Sequence, residues 1–335
     1  MKKTRQIDKI DSKLLSALLA ESRASFTKLA EICGVSVTAV IRRYNRLKKT
    51  GTILGEHMYF NPLSVGYEAI AEIGIMTDLA DREKAMHMLI TQRAIRLASS
   101  VGKYDIYGLL MTKNLNDLDN LVRRIDIKPF VKSLDILLFA EMWANPWHPE
   151  NIAVKASDRE TFAPQSRKPI SKFESISLDK NDILIAEMLM NNSRIAFKDI
   201  AEKVNISTKN VIQRYHILRE KKALNLSTIS LDIFKLGYRA ILDVYLKVEH
   251  RGTLPEFEAN LLQIPNSTFC AKLVGGAYDL RAAFIVATFD DVFRLRTQIS
   301  SLKNIRTAEY YLHEIPGPWP NDFMGQSWLL QYHTT

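Results

Sequence analysis

Hydrophobic residues recur at steps of three and four along the first fifty residues, which is the pattern of amphipathic helices. A first helix with one buried face is predicted from Ile10, Leu14, Leu15, Leu18 and Leu19. A second short helix follows the capping residue Ser25, and Gly34 ends it. Ser36 caps a third helix that is predicted to run to about Lys49. Two short helices, a glycine turn and a third helix predict a helix-turn-helix.

After the third helix the pattern alternates between strands and helices. Strands are predicted over residues 67–76, 94–101, 104–112 and 131–143, and helices over residues 81–92 and 114–125. Gly102 lies at the turn between the second and third strands. The order βαββαβ predicts a ferredoxin-like α+β domain.

This whole unit occurs twice in the chain. The stretch "SVTAVIRRYNRL", which starts at Ser36, returns 171 residues later as "STKNVIQRYHIL", and six of the twelve positions are identical. After a small insertion the offset becomes 174, which places Tyr104 and Asp105 over Tyr278 and Asp279. A repeat of roughly 140 residues indicates duplicated domains and not the turns of a solenoid.

The predicted fold class is therefore α+β, with two copies of a winged helix-turn-helix domain followed by a ferredoxin-like βαββαβ domain. The helix-turn-helix domains are predicted at residues 1–55 and 176–226, and the βαββαβ domains at residues 56–145 and 227–316. A proline-containing linker is predicted over residues 146–175, and a C-terminal tail over residues 317–335.

The net charge of +9 is concentrated in the two helix-turn-helix segments. Residues 1–55 hold twelve Lys or Arg against four Asp or Glu, and residues 172–226 hold ten against seven. Clustered positive charge is typical of a protein that binds a polyanion. The charge by itself leaves a solvated basic face equally open.

The third helix of the unit carries the candidate chemistry. It packs inward through Val40, Tyr44 and Leu47. Four polar residues are then left on or near its outer surface: Thr38, Arg42, Arg43 and Arg46. The first turn of such a helix enters the major groove of DNA, where side chains reach base edges and arginines contact phosphates or guanine. A helical bundle with a solvated basic helix is the alternative, but two basic copies favour DNA binding.

A helix-turn-helix that begins "IDKIDSKLL", followed by a βαββαβ domain that contains "VGKYD", resembles the Lrp/AsnC family of leucine-responsive or feast/famine transcription regulators. The resemblance covers both units. It implies double-stranded DNA as a partner, an amino acid or related metabolite as an effector, and a homo-oligomer formed through the βαββαβ sheets. Family members usually carry one unit per chain, so the tandem form leaves open whether the two units pair within or between chains.

The resemblance also implies site residues. The implied DNA-binding residues are Ser36, Thr38, Arg42, Arg43 and Arg46 in the first unit and Ser207, Thr208, Lys209, Gln213 and Arg214 in the second. Gln213 and Ile217 replace two arginines, so we expect the second unit to bind DNA less strongly. The implied effector-binding residues are Gly102, Tyr104, Asp105, Gly275, Gly276, Tyr278 and Asp279. Alternatively, the glycines serve only tight turns and the Tyr-Asp pairs only packing and capping.

Two other functions stay open. Siroheme decarboxylases resemble these regulators and pair two unlike units, with histidine- and arginine-bearing segments between the second and third strands. The corresponding segments here contain no histidine, and only Arg281 is suggestive. The histidines that we weighed are scattered along the sequence: His57, His87, His148, His250 and His313. The other alternative is a metabolite-binding module without DNA binding.

The remaining features narrow the class of protein. Only two cysteines occur, Cys33 and Cys270, which argues against a disulfide scaffold or a zinc finger. The sequence shows no apolar run of the length that a membrane span needs, and the basic N-terminus lacks the apolar core of a secretory signal. No nucleotide-binding glycine loop or catalytic triad is found. We therefore expect a cytoplasmic protein with no membrane partner, no metal and no cofactor, and not an enzyme.

Overall fold

The structure is a computed structural model, and it describes residues 7–92, 96–140, 148–152, 175–315 and 317. The helices of the first unit are α1 (Lys9–Ala20), α2 (Phe26–Cys33), α3 (Val37–Lys49), α4 (Arg82–Thr91) and α5 (Leu115–Asp126). Its strands are β1 (Ile53–Phe60), β2 (Ala69–Met76), β3 (Arg96–Val101), β4 (Ile106–Thr112) and β5 (Ser133–Ala140).

The second unit repeats this order. Its helices are α6 (Lys180–Asn191), α7 (Phe197–Val204), α8 (Thr208–Glu220), α9 (Leu254–Gln263) and α10 (Phe289–Ser300). Its strands are β6 (Leu224–Leu231), β7 (Ala240–Val248), β8 (Ser267–Val274), β9 (Leu280–Val286) and β10 (Ile305–His313). The predicted duplication is therefore present element by element.

Matching local signals start the first helix of each unit. Asp8 accepts a hydrogen bond from the backbone N–H of Asp11, and Asp11 accepts one from Asp8, which forms a capping box at α1. Asp179 and Asp182 form the same box at α6. The four aspartates that the two copies share in sequence thus define where the first helix of each unit begins.

The two βαββαβ sheets close into one eight-stranded barrel in the order β10-β3-β4-β2-β5-β8-β9-β7. Each unit supplies four neighbouring strands, and the two sheets meet at two antiparallel seams. Leu138 of β5 pairs with Val274 of β8, and Leu312 of β10 pairs with Val101 of β3. The same register at both seams relates the two units by an approximate two-fold axis. The units therefore pair within one chain, which the sequence had left open.

Each helix-turn-helix packs on strands of the other unit. Leu14, Leu18 and Leu29 of the first unit share a hydrophobic core with Ile229 and Ile285 of the second. A second core joins residues of α6 and α8 to β1 and the segment after it, and includes Ile185, Leu189, Val211, Met58 and Phe60. Each helix-turn-helix therefore buries apolar surface against the strands of the other unit as well as between its own helices.

The strand after each third helix brings each helix-turn-helix against the other unit. β1 and β6 pair with each other antiparallel, with His57 opposite Thr228, and form a separate two-stranded sheet. The sequence predicts a winged domain, but in the described residues each unit supplies a single strand here, not a hairpin wing. The predicted domain boundaries after residues 55 and 226 fall inside these strands. The sequence did not show this because each strand finds its partner more than 150 residues away.

Part of the predicted linker is docked on the protein. The N–H of His148 donates a hydrogen bond to the carbonyl of Thr268, Pro149–Asn151 form a 3-10 turn, and Ile152 is 1% exposed in the first core. The rest of the linker up to residue 174 and the tail from residue 318 onward lie outside the described residues. No helix in the part of the chain that is described is long and apolar enough to cross a bilayer.

Candidate functional site

The third helices of the two units, α3 and α8, are built in the same way. Ser36 accepts a hydrogen bond from the N–H of Ala39, and Ser207 accepts one from the N–H of Asn210, so both serines cap their helices. As predicted, Val40, Tyr44 and Leu47 are buried, at 0%, 7% and 2% exposure. The opposite face of each helix is turned away from the protein core.

Three of the predicted DNA-binding arginines are held against the protein. Arg43 Nη1 lies 2.7 Å from Asp8 Oδ2 and 2.8 Å from Asp11 Oδ1, and Arg46 Nη2 lies 2.5 Å from Asp11 Oδ1. Arg214 Nη1 lies 2.7 Å from both Asp179 and Asp182. These arginines lie near the surface, with side chains 18%, 25% and 30% exposed, but each is paired with carboxylates of its own unit. They tie the third helix to the capping box of the first helix, because two carboxylates there are fixed within reach.

This pairing also changes the pKa values of the aspartates that cap α1 and α6. Burial opposes ionisation of the Asp8 carboxyl, but the hydrogen bonds from Arg43 and from the N–H of Asp11 outweigh it and lower its pKa. The pKa of Asp179 is lowered in the same way, by the N–H of Asp182 and by Arg214. The anchors are therefore ion pairs in which both groups are charged at neutral pH.

The remaining predicted DNA-binding residues lie on the outer faces of the third helices. Thr38 and Arg42 on α3, and Thr208, Lys209 and Gln213 on α8, are exposed. Among the residues that the structure describes, Arg42 and Lys209 form no hydrogen bond or ion pair. Exposed aliphatic side chains accompany them at equivalent positions, since Ile41 and Ile212 are each 37% exposed. These side chains are free to contact a partner.

A reciprocal pair of arginines joins the two helix-turn-helix domains. Arg23 donates to the carbonyls of Ser193 and Ile195, and Arg194 donates to the carbonyls of Ser22 and Ala24. The guanidinium of Arg23 lies 4.4 Å from the ring centre of Phe197, and that of Arg194 lies 4.8 Å from the ring centre of Phe26. We call Arg23 and Arg194 the arginine clamp. Because it joins the two helix-turn-helix domains, it holds α3 and α8 in a fixed position relative to each other.

The predicted effector turns lie where the two βαββαβ domains meet. Tyr104 and Tyr278 are 5% and 7% exposed, and their rings belong to a cluster with Tyr107, Tyr245 and Tyr311 from both units. The tips of both turns, at Gly102 and at Gly275 and Gly276, are exposed. The tyrosines of the repeated Tyr-Asp pair thus serve packing between the two domains.

The aspartates of the same pairs hold strand ends. Asp105 accepts a hydrogen bond of 2.9 Å from the N–H of Thr77, and Asp279 accepts one of 3.1 Å from the N–H of Val248. Asp279 is 1% exposed and also pairs with Lys247 and Arg251. These carboxylates are already occupied, so the side chains of the Tyr-Asp pairs offer little to a small ligand.

Gly102 packs directly against the opposite domain. A Cβ atom at Gly102 would lie within 2.3 Å of the Tyr311 ring, and its φ of +159° is a backbone angle that other residues rarely adopt. At Gly276 the nearest atom would be Leu137 Cδ2, at 3.3 Å. The glycines therefore allow close approach of the two units at the seams.

A cluster of four ionisable side chains lies inside the barrel, and little in the sequence pattern pointed to it. Arg281 Nη2 lies 2.8 Å from Asp243 Oδ2, and Arg281 Nη1 lies 3.3 Å from Glu72 Oε2. His313 Nε2 lies 2.8 Å from Asp243 Oδ2. All four residues are at most 4% exposed. We call Glu72, Asp243, Arg281 and His313 the barrel centre.

The barrel centre is asymmetric although it is built from repeated positions. Glu72 and Asp243 are equivalent at the offset of 171. At the offset of 174, Arg281 corresponds to Tyr107 and His313 to Phe139. From the sequence alone Arg281 is suggestive, whereas His313 is one of several scattered histidines. The signal that could have found the cluster is an acidic residue at equivalent positions of two largely apolar strands, Glu72 in β2 and Asp243 in β7.

The electrostatics of the barrel centre follow from its burial. Loss of hydration raises the pKa of the Glu72 carboxyl, and the positive charge of Arg281 opposes that rise. The pKa of Arg281 is also raised well above its ordinary value, because the attraction of Asp243 and Glu72 outweighs its burial. The cavity beside these groups measures about 10 Å³, which is room for about one water molecule.

Comparisons with known proteins agree with the duplicated architecture. The model of the AsnC-type helix-turn-helix domain matches residues 7–48 and 178–219. The HTH-type transcriptional regulator Ptr1 of Methanocaldococcus jannaschii is 29% identical over 113 residues, which cover 33% of this chain and 76% of that protein. Regulatory protein AsnC of Escherichia coli K12 is 27% identical over 135 residues, which cover 39% of this chain and 89% of that protein. Each relative thus corresponds to about one unit.

The crystal structure of the siroheme decarboxylase NirDL matches the chain over its whole length. The TM-score is 0.63, the sequence identity is 12%, and the match covers 98% of this chain and 99% of that chain. At this identity the match shows a shared fold. Each half of the chain therefore contains an AsnC-type helix-turn-helix domain followed by a ferredoxin-like sheet, and so resembles one unit of the Lrp/AsnC regulators, present twice in tandem.

Proposed function

We propose that the chain is a transcription regulator that binds double-stranded DNA through its two helix-turn-helix domains, as a covalently joined pair. The observation that carries this proposal is the arrangement of α3 and α8. Both are held in one body by the arginine clamp, and each keeps an outer face with exposed polar side chains. The transcriptional regulators among its relatives support the same function.

Charge and exposure indicate which side chains meet DNA. Arg42 is exposed and has no partner among the described residues, so it can reach a phosphate or a base without breaking an internal contact. Arg43 and Arg214 act as anchors, and their loss affects the position of the helix before it affects DNA directly. The first unit contributes more binding free energy because Gln213 stands where Arg42 does.

A salt titration of DNA binding tests this function. Lys209→Ala should weaken binding to genomic DNA fragments and reduce the slope of log affinity against log salt by about 0.9, the share of one phosphate contact, because Lys209 is also exposed and has no partner among the described residues. Lys303→Ala removes an equally exposed charge from the barrel domain and serves as the matched control. Binding by the parent protein with an unchanged slope in Lys209→Ala would exclude this phosphate contact. No DNA binding by the parent protein would exclude the function.

We include in this proposal that a small metabolite, such as an amino acid, regulates the protein. The exposed tips of the two turns support it, because Gly102, Lys103 and Gly275–Ala277 present backbone groups at the seams between the domains. Calorimetry of the full chain against the twenty amino acids tests it, with Lys103→Ala as the variant and Lys303→Ala as its control. Binding that Lys103→Ala does not weaken would place the ligand elsewhere, and no binding would exclude an amino acid.

A second candidate function is a tetrapyrrole decarboxylase. It is favoured by one observation, the burial of Arg281 and His313 together with Tyr107 in the barrel of a fold shared with a siroheme decarboxylase. The cavity beside these groups, about 10 Å³, holds about one water molecule in this structure, so a tetrapyrrole could bind there only if the barrel opened. The regulator is therefore the better-supported function.

Absorbance spectroscopy separates the two functions. Incubation of the purified chain with siroheme should leave the spectrum of the tetrapyrrole unchanged if the protein is only a regulator. A spectral shift with loss of carboxyl groups by mass spectrometry, abolished in His313→Asn, would establish the enzyme instead. Folding of that variant is checked by its circular dichroism.

A further inference from the structure

The two recognition surfaces of the chain share one framework. Ser36 and Ser207 cap α3 and α8, and Arg43 and Arg214 anchor them to equivalent capping boxes. Tyr44 of α3 and Tyr215 of α8 both pack against a phenylalanine of the preceding helix. Because the caps, anchors and packing are equivalent, equivalent positions on the two helices face away from the protein in the same way.

The side chains at these outward positions are different. Arg42 corresponds to Gln213, and both are exposed. Thr38 corresponds to Lys209, and both are also exposed. The fork of an arginine matches O6 and N7 of guanine, whereas the amide of a glutamine matches N6 and N7 of adenine. The same framework thus presents two different base-reading groups.

Each chain brings one α3 and one α8 together. The arginine clamp and the β1–β6 pairing join the first helix-turn-helix to the second, and they do so within one chain. A homodimer of single units would present two identical helices and therefore bind a palindrome. This chain presents an unlike pair.

We propose that one chain binds a non-palindromic DNA site in a single orientation. Arg42 reads guanine in one half-site, and Gln213 reads adenine at the symmetry-related position of the other half-site. This inference rests on the proposed function of the chain as a DNA-binding protein. It concerns the symmetry of the DNA site, because a homodimer of identical units would bind two identical half-sites.

Selection of the full-length protein on random DNA duplexes tests the proposal, with sedimentation used to choose duplexes that bind one chain. The expected consensus has two unlike half-sites about one helical turn apart. Replacement of the adenine by guanine, which makes the two half-sites alike, should weaken binding by about 5-fold to 150-fold, since a mismatched pair costs roughly 1–3 kcal/mol. Gln213→Arg should change adenine to guanine in the second half-site only, and Arg42→Gln should change guanine to adenine in the first. Lys303→Gln should change neither.

The outcomes separate this proposal from the function on which it rests. A palindromic consensus for one bound chain, or unchanged base preferences in Gln213→Arg, overturns the asymmetric site while DNA binding stands. If the parent protein enriches no sequence and binds no duplex, the DNA-binding function itself fails, and the asymmetric site fails with it.

Discussion

The helix-turn-helix pair and the interior of the barrel treat the duplicated sequence in opposite ways. In the internal contacts of the helix-turn-helix pair, the same residues at equivalent positions do the same thing, as in the clamp of Arg23 and Arg194 and the anchors Arg43 and Arg214. Inside the barrel the equivalents differ, since Arg281 stands where the first unit has Tyr107.

The difference follows from where each residue lies relative to the approximate two-fold axis. A clamp arginine contacts backbone carbonyls of the other unit, so two identical residues are both satisfied. Glu72 and Asp243 reach the same guanidinium at the centre of the barrel, so they lie close to each other. Two copies of the first unit would bury two carboxylates there with no cation, which carries a large desolvation cost. The second unit offsets that cost because Arg281 and His313 contact the carboxylates. This is the physical reason why a first unit pairs with an unlike second unit.

The largest expected effect comes from removal of the cation in the barrel centre. Arg281→Met should lower the free energy of unfolding by about 3–5 kcal/mol, because Glu72 and Asp243 are then left buried without it. Urea denaturation at neutral pH measures the loss. Addition of Glu72→Gln to that variant should recover part of the stability. A loss below about 1 kcal/mol would show that the carboxylates do not need the guanidinium.

Substitutions in the arginine clamp test whether its two equivalent arginines contribute equally to stability. Arg23→Ala and Arg194→Ala should each lower the free energy of unfolding by about 1.5–3 kcal/mol, since each removes charged hydrogen bonds to buried carbonyls. The two losses should be nearly equal because the contacts are equivalent. Arg296→Ala, at an exposed position on α10, is the control. Clearly unequal losses would mean that only one side of the clamp carries the pairing.

The pH dependence of stability tests whether Glu72 in the barrel centre is buried as a carboxyl group with a raised pKa. Burial raises the pKa of Glu72 above its ordinary value of 4.5, so the folded protein holds this proton to a higher pH than the unfolded chain does. Its ionisation therefore lowers stability as the pH rises from about 4.5 through the raised pKa. Glu72→Gln cannot ionise and should gain stability relative to the parent over this range. Glu249→Gln, at an exposed position, should not, and a constant difference for Glu72→Gln would contradict the assignment.

The smallest expected effect concerns the anchors of the third helices. Arg43→Ala should cost more than Arg214→Ala, because the Arg43 side chain is 18% exposed and contacts a fully buried carboxylate, whereas Arg214 is 30% exposed. Both costs should be about 0.5–1 kcal/mol, since partly exposed ion pairs contribute little. Thermal unfolding compares the two variants. Equal costs, or a larger cost for Arg214→Ala, would mean that burial does not set the strength of these anchors.

Much of the local structure could be read from the sequence. Ser36 and Gly34 marked the ends of helices, and the buried stripe of Val40, Tyr44 and Leu47 was correctly placed. These features depend on neighbouring residues, because capping and helical periodicity act over three or four positions. The order of the strands and helices in each βαββαβ domain was predicted for the same reason. The turns that hold Tyr104 and Tyr278 were found, but the packing of those rings was only an alternative.

The sequence by itself determined that this protein has two copies of one unit, with the same caps, periodicity and helix-turn-helix in each. Only the tertiary structure decided that the units exchange their helix-turn-helix domains and close one barrel within the chain. It also decided that Arg43 meets Asp8, 35 residues away, and that Arg281 meets Asp243, 38 residues away, with Glu72 on its other side. Local patterns fix the elements, whereas contacts between distant residues depend on how those elements pack, and a single sequence does not show which distant charges are brought together.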